Sequence, residues 1–381
     1  MNADAARGRL RVLVVTPLGK GGMGGIDRIM DEVRPRVVQA SDGVQASDGA
    51  QVSNGMEVAF MASRGQGHIA IAPFLTAALV GRLLGRRLGF GPDLLHINLS
   101  SHGSALRKMA IARTATMVGA PYVIHLHGSG FRDYWDGASP FLAARIRSLF
   151  ARAARIVVLG RVWRDYVAAR APEASNRIVI LPNASPAPEN RRPLTARDGE
   201  PAHILFLGHV GPRKGVPELV RALADLPSDR AWRATIAGNG EVEETRREVV
   251  RLGLSEKVSL PGWVGPDSVR QLLRDSDIVV LPSYEENLPM SVIEGMAYGR
   301  AVVATPVGAV EDVIEDGVTG LLVPVGDAVA LSHRLKLLLD DPALRLSIGA
   351  AAAAFHGRQL DMDVYVERLK ALWREAALVR A

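Results

Sequence analysis

The 381-residue chain has no cysteine. That excludes disulfides, thiolate metal sites and a cysteine nucleophile, and it suits a reducing compartment. No run of eighteen apolar residues occurs, so a membrane-spanning helix is not expected and any membrane contact would be peripheral. Met1 to Gly8 is short and polar, and the apolar run Leu10 to Pro17 is too short for the core of a secretion signal. It reads as a buried strand instead. The glycine-rich turn after it is neither a G-x-G-x-x-G fingerprint nor a P-loop, and no Asp-x-Asp metal element is apparent.

What is present points to two α/β domains. A hydrophobic content of 48% over this length supplies two cores. The net charge of +6 is unevenly spread. Residues 1–190 carry 23 Lys and Arg against 13 Asp and Glu, a net of +10, whereas the remainder carries 23 against 27, a net of −4. A basic first half fits an anionic partner such as a phospholipid surface, a lipid diphosphate or nucleic acid, and equally fits an arginine-rich composition without function.

The most informative stretch is Tyr284 to Gly295, YEENLPMSVIEG. A short β-branched run, Asp277 to Pro282, enters it, and a helical pattern from Met290 to Tyr298 leaves it, with Pro289 suited to the first turn. A helix beginning just after a buried parallel strand turns unpaired amides and a positive dipole end toward one point, where phosphate binds readily. Leu288, Met290 and Ser291 can donate there; Pro289 cannot. Glu286 and Glu294 flank the turn eight positions apart.

This stretch resembles the Glu-x7-Glu signature of family 4 of the glycosyltransferases, retaining enzymes of the GT-B fold that use nucleotide-sugar donors. The likeness continues through Gly295-Met-Ala-Tyr-Gly-Arg-Ala-Val-Val-Ala-Thr to Gly308 and through Asp316-Gly-Val-Thr-Gly-Leu-Leu-Val. The resemblance implies two Rossmann-like doubly wound domains facing a central cleft, with a C-terminal helix returning to domain one. It also implies that Glu294 holds the ribose, the amides of Leu288, Met290 and Ser291 hold the diphosphate and sugar, and Glu286 meets the sugar or its developing positive charge.

Taken in order, residues 1–184 read as the acceptor-side domain, 185–201 as a linker, 202–360 as the nucleotide-sugar domain and 361–381 as the closing helix. Leu10 to Thr16 empties into a turn with five glycines in nine residues, which resembles the family's Gly-Gly loop and sets Gly24 and Gly25 toward the donor. Val38 to Gly55 reads VQASDG, VQASDG, AQVSNG, a tandem hexapeptide. Three copies cannot bury a core, so a lengthened surface loop is expected. Ile71 to Phe90 reads as an apolar helix carrying Arg82, Arg86 and Arg87, either a basic amphipathic contact for an anionic membrane or a helix packed on the sheet with its arginines in water.

Asp93 to Leu99 and Pro121 to His127 are further buried strands. His127 ends its strand at Gly128-Ser129-Gly130, where an open parallel sheet presents ligand-binding groups, and it resembles the family's domain-one histidine near the donor sugar. His96 and His125 read as core residues. Pro182-Asn183-Ala184 closes the domain, with Ala184 in place of the family's usual Gly. In the second domain Lys214 matches the family lysine on the donor diphosphate. His209 stands where an arginine is usual, and Arg213 is placed to compensate. By resemblance the backbone around Val264 meets the base; Gly265 and Pro266 offer no carboxylate for a guanine edge, Asp267 is the next candidate to reach it, and the identity of the base stays open.

The expected protein is therefore a retaining hexosyltransferase moving a sugar from a nucleotide-sugar donor to a glycan or lipid-linked acceptor in cell-surface polysaccharide or glycolipid synthesis. No metal or other cofactor and no nucleic acid is expected. Its expected place is the cytoplasm, with a peripheral contact at the inner membrane face through Arg82, Arg86 and Arg87. A sugar-nucleotide 2-epimerase of related fold and a non-catalytic nucleotide-sugar-binding subunit are the rival readings.

Overall fold

The computed structural model describes residues 9–18, 25–38, 51–53, 55–65, 71–88, 91–189 and 200–379. The chain forms two compact units, one of Met1–Pro182 with Met362–Ala381 and the other of Asn183–Asp361.

Unit 1 alternates strand and helix: β1 (Leu10–Thr16), α1 (Gly25–Val38), β2 (Gln51–Ser53), β3 (Met56–Ala62), α2 (Ala72–Leu84), β4 (Leu94–Leu99), α3 (Gly103–Met117), β5 (Tyr122–Leu126), α4 (Phe131–Asp136), α5 (Pro140–Ala151), β6 (Arg155–Val158), α6 (Arg161–Arg170) and β7 (Ile178–Ile180). The sheet order is β2-β3-β1-β4-β5-β6-β7, parallel except where β2 pairs antiparallel to β3. Continuous apolar runs make these strands because helices cover both faces. All six residues of β4 and all five of β5 are buried, down to His96 and His125.

Unit 2 comprises β8 (Ala202–Leu207), α7 (Val216–Ala224), β9 (Trp232–Ala237), α8 (Val242–Arg251), β10 (Val258–Gly262), α9 (Pro266–Asp275), β11 (Ile278–Leu281), α10 (Met290–Ala297), β12 (Ala301–Ala304), β13 (Leu321–Leu322), α11 (Ala328–Asp340) and α12 (Pro342–Gln359). Its sheet is wholly parallel in the order β10-β9-β8-β11-β12-β13. The last helix, α13 (Met362–Leu378), returns to unit 1 and packs on α1, β1, β4 and β5, burying Tyr365, Leu369 and Trp373.

Both sheets are doubly wound. The chain reverses direction across the sheet beside β1 in unit 1 and between β8 and β11 in unit 2, and at such switch points the strand ends diverge to leave room for a ligand.

Two expectations need correction. The final copy of the hexapeptide is not loop, because Gln51–Ser53 forms the edge strand β2 in register with Met56, Glu57 and Val58. Residues 39–50 and Asn54 of the repeat lie outside the described residues. The arginine-bearing helix ends at Leu84, and Gly85–Leu88 tightens into a 3-10 turn. Arg86 is consequently withdrawn from any membrane face: it donates to Pro92 O at 2.5 Å and lies 3.6 Å from Asp93. Arg82 is exposed, and the side chain of Arg87 lies outside the described residues.

Candidate active site

In unit 2, β8 and β11 deliver the polar groups. After β8 the chain runs through Gly208 and His209 into a short turn, Pro212–Lys214, that Gly215 closes in the left-handed region at φ 68°. A side chain at Gly215 would place its Cβ 1.9 Å from Pro282 O, so only glycine lets this turn lie on the end of β11. Tyr284 N donates to Arg213 O at 2.9 Å and fastens the two loops together. The result brings Lys214 onto Glu286, where Nζ donates to Oε1. Ser283 Oγ donates to the same oxygen at 2.8 Å, and Thr305 Oγ1 holds Ser283 O at 2.6 Å from behind.

The loop Glu285–Pro289 is braced from three sides. Asn183 Nδ2 donates to Leu288 O at 2.9 Å, and Ala309 N donates to Asn287 O at 2.7 Å. Arg213 Nη1 donates to Glu285 O at 3.1 Å. Beneath it, Gly308 adopts φ 61°, and any Cβ there would stand 2.3 Å from the carbonyl oxygens of both Glu286 and Asn287. Pro289 is the extended N-cap of α10, so the amides of Met290 and Ser291 open the helix with no carbonyl a turn earlier to receive them. Glu294, half-buried, lies in the second turn of the same helix.

The expected donor residues thus converge only in part. Lys214, Arg213, Glu286, Leu288, Met290 and Ser291 share one strand-end assembly. His209 is exposed at the start of the β8 turn, its Nδ1 3.3 Å from Asn239 Oδ1. Val264 lies half-buried in the segment between β10 and α9. Asp267 pairs with Arg270 in the first turn of α9. Gly25 begins α1, whereas Gly24 lies outside the described residues. The sequence holds two Asp-x-Asp spacings, Asp275/Asp277 and Asp361/Asp363. Asp277 is spent on the amide of His203 at 2.8 Å and Asp363 on Arg36 at 2.9 Å. No group of three or more His, Asp or Glu among the described residues gathers in a metal-binding arrangement.

In unit 1 the corresponding strand ends carry a histidine cluster. His127 N donates to Leu99 O at 3.0 Å, and its Nε2 lies 2.9 Å from Asn98 Oδ1. The Asn98 amide is oriented by its Nδ2, which donates to Val15 O at 3.1 Å. Asn98 Oδ1 therefore accepts from His127 Nε2–H, which leaves Nδ1 of His127 as the free lone pair. His125 packs its ring on His127 with centroids 3.9 Å apart. Its Nδ1 lies 3.3 Å from His96 Nε2, and Trp373 Nε1 donates to His96 Nδ1 at 3.1 Å. Trp373 so fixes the proton of His96 on Nε2 and, through it, that of His125 on its own Nε2.

Burial holds His96 at about 4. Burial, with charge on His96 and Lys108 adding to it, brings His127 to about 3. His127 is consequently a neutral acceptor at physiological pH, not an imidazolium.

Sequence reasoning passed over three groups here. Lys108 is fully buried in α3, donates to Ser104 Oγ at 2.7 Å, and is lowered to about 7 by burial and then by Arg107. Asp27, almost fully buried, accepts from Leu18 N at 3.2 Å and is raised by burial. Asn98 sets the His127 tautomer. An uncompensated Lys or Asp inside an apolar helix pattern was the available signal for the first two.

Fold and site together define a GT-B protein, with two Rossmann-like α/β units. Residues 3–184 match the glycosyl transferase 4-like domain and residues 188–355 the glycosyl transferases group 1 family. The chain is 30% identical over 294 residues to the 2-deoxystreptamine N-acetyl-D-glucosaminyltransferase of Streptomyces fradiae, covering 70% of this chain and 68% of that protein. It is 26% identical to the alpha-D-kanosaminyltransferase of Streptomyces kanamyceticus, over 69% of this chain and 72% of the relative. The crystal structure of Anabaena HepE in complex with UDP and glucose superposes with a TM-score of 0.69 at 19% identity, covering 95% of this chain and 99% of HepE. The chain belongs to the group 1 glycosyltransferases.

Proposed function

We propose that this glycosyltransferase moves a hexose from a nucleotide-sugar donor, with retention and without a metal, to a hydroxyl of a glycan or lipid-linked acceptor. The observation that carries the reading is the meeting of Lys214 and Glu286 at the switch point of unit 2, beside the open amides of α10. Lys214 and Arg213 take the diphosphate, whose negative charge grows as the bond to C1 of the sugar breaks, and cations placed there lower that barrier. The amides of Leu288, Met290 and Ser291 add fixed donors, Glu294 takes the ribose, and Val264 meets the base. His209 flanks the diphosphate.

Glu286 and, in unit 1, His127 are assigned to the reacting sugar. Glu286 counters positive charge developing at C1, and the free Nδ1 of His127 accepts from a sugar hydroxyl. In the same-face course we favour, the C1–oxygen bond to the diphosphate breaks and the acceptor oxygen bonds to C1 from that side. The acceptor proton then passes to the departing diphosphate. The reaction is placed in the cytoplasm, in cell-surface polysaccharide or glycolipid synthesis. The relatives' names favour one further acceptor class, a cyclitol, since one of them is a 2-deoxystreptamine transferase.

A thermal-shift screen of UDP, GDP and ADP followed by their sugars finds the donor, with UDP-glucose the first to test because HepE was crystallised with UDP and glucose. Transfer of radiolabelled sugar to an acceptor is the expected result, with the anomeric configuration preserved in the product by NMR. Donor binding without transfer or hydrolysis would identify a binding subunit, and conversion of the donor sugar alone an epimerase.

A further inference from the structure

Helices α3 and α5 of unit 1 enclose a groove of about 630 Å³. Leu106, Arg113 and Met117 fall at i, i+7 and i+11 on α3, and Phe141, Arg145 and Arg152 at i, i+4 and i+11 along α5 and its C-cap, so each set lies along one helix face. The apolar members are unusually open: Leu106 is 55% exposed, Met117 62% and Phe141 69%.

The charge in this groove is of one sign. Three arginines line it and no Asp or Glu does. Among the described residues none of the three has a carboxylate partner. Arg145 lies over the Phe141 ring at 4.4 Å, and Arg152 Nε reaches only Ser148 Oγ at 3.3 Å. Arg147 provides the contrast from the same helix, its Nε and Nη2 donating to the two carboxylate oxygens of Glu173 at 2.8 and 2.9 Å. The positive charge on α5 is neutralised elsewhere and left open at the groove.

We propose that this groove seats an apolar chain of an acidic phospholipid, with the lipid phosphate held by Arg113, Arg145 and Arg152. The volume falls within the range of small-ligand pockets. Its walls are faces of two helices whose interior amides and carbonyls are already bonded within each helix, so they offer an extended peptide no backbone partners. What they do offer is hydrocarbon for a chain and guanidinium forks for a phosphate, with each arginine able to lay its stem on the apolar wall and keep its head in water. Among the described residues no helix is long and apolar enough to cross a membrane, so such a contact would be peripheral. Unlike Arg86 of the 3-10 turn, which is paired with Asp93, these three remain available.

The test uses the full chain with phosphatidylcholine vesicles, with and without phosphatidylglycerol, and soluble dihexanoyl phosphatidylglycerol below its micelle concentration. Binding is expected to acidic vesicles and to the soluble acidic lipid. Glycerol phosphate should bind far more weakly, which separates a lipid from a free phosphate. Each of Arg113→Gln, Arg145→Gln and Arg152→Gln should reduce vesicle partitioning about fivefold. Phe141→Ser should weaken binding of the soluble lipid, while Arg82→Gln leaves it unchanged; circular dichroism melting checks that the variants fold. The proposal is overturned if the native protein ignores acidic vesicles, if binding survives the triple arginine substitution, or if it follows Arg82 instead. Binding of an acidic amphipathic peptide as tightly as the lipid would assign the groove to a protein partner and overturn it as well.

Discussion

Lys214 Nζ donates to Glu286 Oε1 across 72 positions of chain, with only 14% and 10% of the two side chains exposed. Each charge is the other's main compensation, so neither can be removed in isolation. Losing one partner of a buried pair leaves a charge uncompensated, whereas losing both does not. Lys214→Ala and Glu286→Gln are each expected to lower stability by about 1–3 kcal/mol, and the double variant by clearly less than their sum. Denaturant unfolding of the four proteins measures this; additive losses would show that the two groups do not interact.

Donor binding should respond to a different pair. Lys214→Ala and Glu294→Gln are expected to weaken nucleotide-sugar affinity by about 1–3 kcal/mol each, the usual loss when a charged hydrogen-bond partner is removed. Calorimetry reads it directly. Unchanged affinity in both variants would remove the site assignment.

Glu286→Ala and His127→Ala should instead lose mainly kcat, with donor affinity nearly intact, because their proposed interactions strengthen only as the sugar becomes cationic. Removing Glu286 leaves Lys214 to the diphosphate, so turnover should slow without weaker nucleotide binding. An inverted product, or full turnover in Glu286→Ala, would defeat this mechanism.

Acid stability follows from the buried histidines. His96 and His203 both stand at about 4, held down chiefly by burial, and His127 at about 3. An unfolded histidine titrates near 6.5, so between 6.5 and 4 the unfolded chain binds protons that the folded chain refuses. The histidine contribution is complete above about pH 6.5 and is lost as pH falls, each of His96 and His203 accounting for on the order of 3 kcal/mol by pH 4. The melting temperature should therefore drop steeply over that interval. A flat profile would contradict the assigned burial.

Gly215→Ala should be among the most damaging single changes, costing about 2–4 kcal/mol. It combines φ 68° with a Cβ 1.9 Å from Pro282 O. Thermal melting shows the loss, and misplacement of Lys214 should weaken donor binding in whatever fraction stays folded. A variant as stable as the native protein would mean that the turn can move.

Much of the architecture was legible because parallel strands buried on both faces leave continuous apolar runs. Leu10–Thr16 was bounded to the residue, and His203 to Gly208 was placed within a residue at each end. The helices α4, α5 and α6 went unread, since aromatic and arginine-rich stretches such as Phe131–Asp136 give no clean period at that length. The strand-end position of Lys214 and Glu286 could be read from their neighbours, but not that they would bond each other. Asn183 was read as part of a domain-closing turn; that its amide braces Leu288, 105 positions away, has no local signature. The Trp373–His96–His125 chain was likewise invisible, because a tryptophan at the far terminus carries no mark of the strand it will meet.

That last contact has a consequence for how the protein is made. Unit 2 interrupts unit 1 between Pro182 and Met362, and Ser185 N bonds Leu360 O at 3.1 Å, so the outgoing and returning segments are joined at the border of unit 2. A ribosome has released all of unit 2 before α13 exists. Until that helix emerges, β1, β4 and β5 lack one of their covering layers, and His96 lacks the indole that sets its proton. Unit 2 can thus complete itself during synthesis, whereas unit 1 must wait until α13 has been made. A stop codon just before α13 would spare the residues assigned to the donor and still leave unit 1 unfinished.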